Sequence, residues 1–231
     1  MRKLFLFLAL LAGFNLTAQN IQLHYDFGKD RQYLTSTVEM FKPDKWGSTF
    51  YFIDMDYGIS DNLKGVNMAY FEIARGLKFR DSPFEIHLEY NGGFGQYEAV
   101  PYVGAYQIND AWLAGGHYTF ASEDFSKTFT IQAMYKFIRD IEDLSFQITG
   151  VWELNYFDGK FTFAGFADFW KEPVDFDNDN LYDADYVFQA EPQLWYNFNE
   201  HLSIGTEIEF ANNFVKKGFQ INPTLGVKWT F

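Results

Sequence analysis

The final stretch of the chain, FQINPTLGVKWTF (Phe219–Phe231), alternates between apolar and polar side chains along almost its whole length. A repeat of two residues places successive side chains on opposite faces of an extended chain, so it predicts a β-strand with one apolar and one polar face. The same repeat recurs in runs at 21–27, 84–91, 129–137 and 202–210. The pattern therefore predicts an all-β protein.

The character of the apolar face decides between two all-β architectures. A soluble sandwich turns this face inwards, whereas a transmembrane barrel turns it towards lipid and keeps a polar interior. Aromatic residues make up 21% of the chain, and the runs have about ten residues, the length with which a tilted strand crosses a bilayer. A terminal Phe231 on an alternating last strand resembles the assembly signal of Gram-negative outer-membrane barrels. We therefore predict a transmembrane antiparallel up-and-down β-barrel of the outer membrane, in contact with lipopolysaccharide and inserted by the barrel-assembly machinery.

The number of strands follows from parity. Bacterial single-chain barrels have an even number of strands, with short turns on one side and longer loops on the other. Thirteen runs alternate in this sequence, and we assign the run at 102–108 to an outer loop, which leaves about twelve strands, one of them at 186–197. The longest connections, 93–109 and 171–185, then lie on the same side. A count of fourteen strands is the main alternative.

The chain begins with the pattern of a secretory signal peptide. Arg2 and Lys3 precede an apolar run from Leu4 to Phe14, which is short for a membrane-spanning helix of about 20 residues. We therefore divide the chain into a signal peptide (1–19) and a barrel (20–231). Without the signal peptide, 16 basic and 31 acidic residues remain, which gives a net charge of −15.

The composition excludes several classes of function. The chain contains no Cys, which excludes disulfide scaffolds, Cys-ligated metal centres and Cys nucleophiles. The acidic balance argues against nucleic acids as partners, because their phosphates require clustered Lys and Arg.

Four segments resemble the Tsx family of nucleoside-specific, channel-forming outer-membrane proteins, and within it a Bacteroidota branch. They are an early strand and turn (Val38–Gly47), a Phe-rich strand that ends in acidic residues (Phe50–Asp56), the strand after it (Tyr70–Arg75) and an aromatic strand (Phe161–Trp170). The resemblance implies passive diffusion of nucleosides through the barrel.

The polar face of each strand predicts the lining of the interior. Carboxylates accept hydrogen bonds from sugar hydroxyls, aromatic faces stack on bases, and an acidic wall favours neutral or cationic solutes over anions. The candidate solute-binding residues are Glu39, Phe50, Phe52, Asp54, Asp56, Glu72, Glu85, His87, Asp168 and Trp170. The sequence therefore predicts a channel for small polar solutes, with nucleosides favoured and no cofactor.

Three alternatives stay open. Small barrels can fill their interior with side chains, so the protein could be a closed structural barrel, or a barrel that adheres through its outer loops. Outer-membrane hydrolases need a Ser activated by a His and a carboxylate, and His24 and His87 lie on polar faces among carboxylates, although we predict no enzyme. Alternating carboxylates at Asp175, Asp177, Asp179 and Asp183 suggest a Ca²⁺ site, although the Gly and Glu of an EF-hand are missing.

Overall fold

The computed structural model describes residues 19–58, 63–80, 82–99, 101–177, 179 and 181–231. Apart from Gln19, the predicted signal peptide lies outside the described residues. No helix in the described part of the chain is long and apolar enough to cross a membrane. The regular secondary structure of these described residues consists of thirteen β-strands: β1 Gln19–Asp26, β2 Leu34–Asp44, β3 Gly47–Tyr57, β4 Val66–Lys78, β5 Phe84–Ala99, β6 Tyr102–Ala121, β7 Lys127–Ile138, β8 Ser145–Tyr156, β9 Phe161–Val174, β10 Ala184–Ala190, β11 Gln193–Asn197, β12 Leu202–Asn212 and β13 Phe219–Thr230.

The strands form one closed antiparallel sheet. Strands that follow each other in sequence pair from β1 to β9, and β1 also pairs with β13, which closes the ring. The short strands β10 and β11 share one position in the ring, because both pair with β9 on one side and with β12 on the other. The barrel therefore has twelve strand positions, and the predicted count of twelve is confirmed.

The predicted strand at 186–197 is interrupted at Glu191-Pro192. Proline has no N–H to donate to a neighbouring strand, so it breaks the ladder between β10 and β11. The sheet holds together across the break, because Glu191 N donates to Phe166 O at 3.0 Å and Ile208 N donates to Pro192 O at 3.1 Å. Gly165, with φ of +142°, permits this close approach, since a Cβ there would lie 2.3 Å from Glu191 O.

The segment 93–109, predicted as an outer loop, instead continues the sheet, so that prediction is wrong. Gly95 pairs with Tyr106 and Ala99 pairs with Tyr102, which makes β5 and β6 one long hairpin. β4 and β7 pair with the hairpin only as far as Gly95 and Ala111, so its tip extends beyond both neighbours. The Tyr106 ring covers Gly95, where a Cβ would lie 2.3 Å from it; such aromatic cover supports glycine in a strand.

The two faces of the strands separate as the alternation predicts. On β1 the polar Gln22, His24 and Asp26 are buried inside the barrel, whereas the apolar residues between them are exposed. Large apolar residues are exposed along the outside of the other strands as well. An apolar exterior around a polar interior is the arrangement of a transmembrane barrel and the reverse of a soluble sandwich.

The connections divide between two ends of the barrel. Phe231 N donates to Gln19 O at 3.0 Å, so the first and last strands meet at one end, which we call the terminal end. The connections there are 45–46, 79–83, 122–126, 157–160 and 198–201. The opposite end, the loop end, carries the connections 27–33, 58–65, 139–144, 175–183 and 213–218 together with the β5–β6 hairpin.

Candidate functional site

The interior of the barrel encloses a cavity of about 2430 Å³. Its lining includes Lys29 and Lys216 at the loop end and Phe125 and Glu200 at the terminal end. The cavity therefore extends through the whole length of the barrel.

All ten candidate solute-binding residues contribute to the lining of this cavity. Their positions follow from strand alternation and register: on β3, for example, Asp54 lies opposite Thr37 of β2 and Tyr70 of β4, which also point inwards.

Four carboxylates form a first acidic cluster, which comprises Glu39, Asp54, Glu191 and Glu207. Asp54 is on β3 and Glu191 follows β10, with at least four strands between them around the ring in either direction. Their carboxylates nevertheless interact electrostatically, and Glu207 interacts with Asp54 and Glu39. The cluster therefore spans the lumen from one wall to another.

Each carboxylate of this cluster accepts a hydrogen bond from a neutral side chain. Such donors fix the direction of a carboxylate without cancelling its charge. The hydrogen bonds are Asn20 Nδ2 to Glu39 at 2.9 Å, Thr37 Oγ1 to Asp54 at 2.5 Å, Gln189 Nε2 to Glu191 at 2.7 Å and Gln193 Nε2 to Glu207 at 2.5 Å.

A second acidic cluster comprises Glu72, Glu89 and Asp168. Glu72 of β4 interacts electrostatically with Asp168 of β9, again from a distant part of the ring. Lys136 of β7 interacts with all three carboxylates and is their nearby cation. Its ammonium donates to Gln147 Oε1 at 2.9 Å and lies 4.2 Å from the ring centroid of Trp170. Trp170, one of the candidate residues, is thus largely buried beneath Lys136.

An aromatic row connects the two acidic clusters. The ring centroids of Phe50 and Phe52 are 5.9 Å apart, as are those of Phe52 and Tyr70. Phe52 lies directly between Glu39 and Glu72 in the register of β2, β3 and β4. Tyr70 also donates its hydroxyl to Glu72 at 2.7 Å. The wall therefore presents aromatic faces beside hydrogen-bond acceptors.

The sequence did not predict one cationic residue of the barrel interior. Arg31, in the connection between β1 and β2, reaches Asp26 at 3.1 Å and Glu209 at 2.7 Å. Asn222 Nδ2 donates to the same Glu209 oxygen at 2.7 Å. No pattern in the sequence marks Arg31, because it belongs to no alternating run. The network joins β1, β12 and β13 at the loop end.

The two histidines considered as catalytic bases have other partners. The His24 ring bonds Thr224 Oγ1 and Gln22 Oε1, both at 2.9 Å. The His87 ring bonds His117 at 3.1 Å and Glu89 at 2.8 Å. Neither arrangement is the Ser–His–carboxylate geometry that acyl transfer requires.

The acidic connection between β9 and β10 is partly engaged in internal contacts. Asp183 accepts from Lys217 Nζ at 2.7 Å and from Phe176 N at 3.0 Å, and the nearby ammonium lowers the pKa of the Asp183 carboxyl. Asp175 Oδ1 accepts from Asp179 N at 3.3 Å, and Asp177 lies between them in sequence. Among the described residues, no group of three or more His, Asp or Glu side chains could hold a metal ion. Ca²⁺ binding at this connection stays a prediction.

Comparison with known proteins identifies relatives of the fold. Residues 18–231 match the sequence family described as Domain of unknown function (DUF5020), and no curated protein matches the chain. The barrel is similar to the NanC porin, with a TM-score of 0.57 and 12% identity over 93% of this chain and 100% of that one. It is also similar to the KdgM porin, with a TM-score of 0.53 and 11% identity over 92% of this chain and 98% of that one. At such identities the likeness is one of fold, and it does not confirm the resemblance to the Tsx family.

Proposed function

We propose that this chain, which belongs to the DUF5020 family, is an outer-membrane channel for the passive diffusion of small polar solutes, because it folds as a twelve-stranded barrel around an acidic cavity. The apolar exterior and the porin-like fold support a place in the outer membrane. Export through the N-terminal signal peptide and insertion through the Phe231 strand are parts of the same proposal.

The observation that carries the proposal is the through-going cavity with its excess of negative charge. The described lining includes 16 Asp or Glu residues and 7 Lys or Arg residues. Facing carboxylates at a narrow point attract cations, admit neutral solutes and repel anions. A closed structural barrel would fill this space with packed side chains. We therefore propose neutral and cationic solutes and exclude phosphorylated ones.

Nucleosides are the neutral solutes that we propose as the favoured class. A base is flat and stacks on aromatic side chains without a requirement for one particular base. The row of Phe50, Phe52 and Tyr70 provides such faces, and Glu39 and Glu72 on either side of Phe52 accept hydrogen bonds from ribose hydroxyls. A nucleotide would bring its phosphate close to the same carboxylates.

Uptake into proteoliposomes tests the proposal. The purified barrel is reconstituted, and entry of adenosine and thymidine is compared with entry of uncharged sugars of similar size. We expect nucleosides to enter faster, and Phe52→Leu to reduce that preference while sugar entry is unchanged. Phe120→Leu, on the lipid-facing side of β6, is the matched control. Equal entry of all solutes would contradict the nucleoside preference, and no entry of any solute would contradict the channel.

One feature supports a second function, adhesion at the loop end. The tip of the β5–β6 hairpin extends beyond its neighbours, and the side chains of Tyr97 and Tyr102 are exposed there. Exposed aromatic residues are enriched at protein interfaces. If adhesion is the main function, Tyr97→Ser with Tyr102→Ser will abolish attachment of cells to a surface and leave solute uptake unchanged.

A further inference from the structure

Two histidines meet on the lumen wall in a geometry that the channel function does not use. His87 of β5 and His117 of β6 both line the cavity, and they are diagonal neighbours, because His117 lies opposite Glu85. Their Nδ1 atoms are 3.1 Å apart. The other ring nitrogens face carboxylates, His87 Nε2 at 2.8 Å from Glu89 and His117 Nε2 at 3.2 Å from Glu85.

These contacts determine where the protons lie. An ionised carboxylate only accepts hydrogen bonds, so each Nε2 that faces one carries a proton. A neutral imidazole with its proton on Nε2 has a lone pair on Nδ1. With both protons on Nε2, the Nδ1 lone pairs of His87 and His117 point at each other across 3.1 Å, and a positive centre between them stabilises that contact. That centre is a shared proton or a metal ion.

Charge and distance favour a divalent metal ion. Two ionised carboxylates and two neutral imidazoles together carry two negative charges. One divalent cation cancels both charges, whereas one proton cancels only one of them. Zinc–nitrogen bonds of about 2.0–2.1 Å in a tetrahedral centre place two nitrogens about 3.3 Å apart. His87 and His117 need to separate only slightly from 3.1 Å to meet that value. Imidazole nitrogen also suits Zn²⁺ and Cu²⁺ better than it suits Ca²⁺ or Mg²⁺.

The surroundings of the pair are those of a metal-binding histidine. Ligating imidazoles usually donate their second N–H to a carboxylate, which orients the ring and raises its basicity. Glu85 is itself fixed, since Ser48 Oγ donates to it at 2.6 Å. Gly76 provides the space, because a Cβ there would lie 1.9 Å from Glu85 Oε2 and 2.9 Å from His117 Cε1.

We propose that Nδ1 of His87 and Nδ1 of His117 bind one divalent transition-metal ion, of the Zn²⁺ or Cu²⁺ type, at the lumen wall. No third side chain of the described residues completes the site, so water from the cavity fills the remaining positions. Glu85 and Glu89 are positioning residues that act through the two imidazoles. Both imidazoles line the lumen, and the site shares no residue with the aromatic row and its flanking carboxylates, on which the proposed nucleoside preference rests.

Metal titration of the purified, chelator-treated barrel tests this proposal. We expect one equivalent of Zn²⁺ to bind by calorimetry, and Cu²⁺ to show coupling to two nitrogens in its electron paramagnetic resonance spectrum. His87→Ala and His117→Ala should each remove one of the two nitrogens. Glu89→Gln leaves both ligands in place and should weaken Zn²⁺ binding about tenfold or more.

His24→Gln is the matched control, because His24 also lines the lumen but bonds Thr224 and Gln22 instead of a second histidine. Its Zn²⁺ affinity should equal that of the unchanged protein. Heat-modifiable migration in gels shows whether each variant is folded. An unchanged protein that binds neither metal, or a His24→Gln variant that loses binding as His87→Ala does, would overturn the proposal.

Discussion

Neutralising the first acidic cluster should reduce the preference of the channel for cations. The variant combines Asp54→Asn, Glu191→Gln and Glu207→Gln, which keep the shape of each side chain and can still accept from Thr37, Gln189 and Gln193. The three carboxylates interact across the lumen from β3 and β10–β12. In the proposed channel, a cation would therefore pass between them.

The size of the effect follows from Coulomb's law. A unit charge interacts with another by about 1 kcal/mol at 4 Å in water, and by about half of that at twice the distance. Each ionised carboxylate that is lost therefore costs a permeating cation roughly 0.5–1 kcal/mol, which corresponds to roughly a twofold to fivefold change in permeability. Anion entry should increase at the same time.

The reversal potential of the channel in planar bilayers under a KCl gradient measures this change. A second triple variant, Glu123→Gln, Asp140→Asn and Glu142→Gln, removes the same charge from exposed connections that do not line the cavity. It should keep the original potential. If the lumen variant kept its cation preference, or if both triple variants shifted equally, the reasoning from the acidic cluster would be refuted.

Two further predictions concern stability. Trp170→Ala should destabilise the barrel by about 3–5 kcal/mol in urea unfolding, because Trp170 is buried under Lys136 and donates to Glu172 at 2.6 Å; a loss below 1 kcal/mol would argue against packing there. At the terminal end, hydrogen bonds from Ser122 and Ser126 lower the pKa of Asp124 to about 2. The stabilisation of the folded barrel by the ionised Asp124 is complete above the ordinary carboxyl pKa of about 4 and is lost as the pH falls towards 2. The Asp124→Asn variant should therefore be less stable than the unchanged protein at neutral pH and equally stable near pH 2.

The sequence predicted the wall of the barrel because strand alternation is a local property. Once the polar residues of β3 are known to face inwards, Phe50, Phe52, Asp54 and Asp56 follow without knowledge of any other strand. The apolar outside and the ten lining residues could be predicted for the same reason, whereas the count of twelve positions also needed the rule that such barrels have an even number of strands. Trp170 shows the limit of this reasoning, because alternation places its side chain inside but does not reveal that Lys136 covers it.

The features that the sequence did not predict depend on neighbours in space. The run at 102–108 alternates, but the sequence does not show which segment it pairs with, and only pairing such as Gly95 with Tyr106 reveals a hairpin. The interruption at Pro192 is bridged by β9 and β12, whose register the sequence does not state. Likewise, the approach of Asp54 to Glu191 depends on how the ring closes. Arg31 lies in a connection, where no repeat indicates direction.

The pairing of β1 with β13 has a consequence for how the barrel is made. Asn20 pairs with Thr230 and Leu23 with Val227, so this contact joins the two most distant parts of the chain. Contacts of such high contact order form late and slowly, because a long segment must be ordered before they gain any stability. Until the last strand arrives, β1 and β12 are unpaired edges that can add strands from other chains. A chain that lacks Phe219–Phe231 should therefore aggregate instead of forming a smaller barrel.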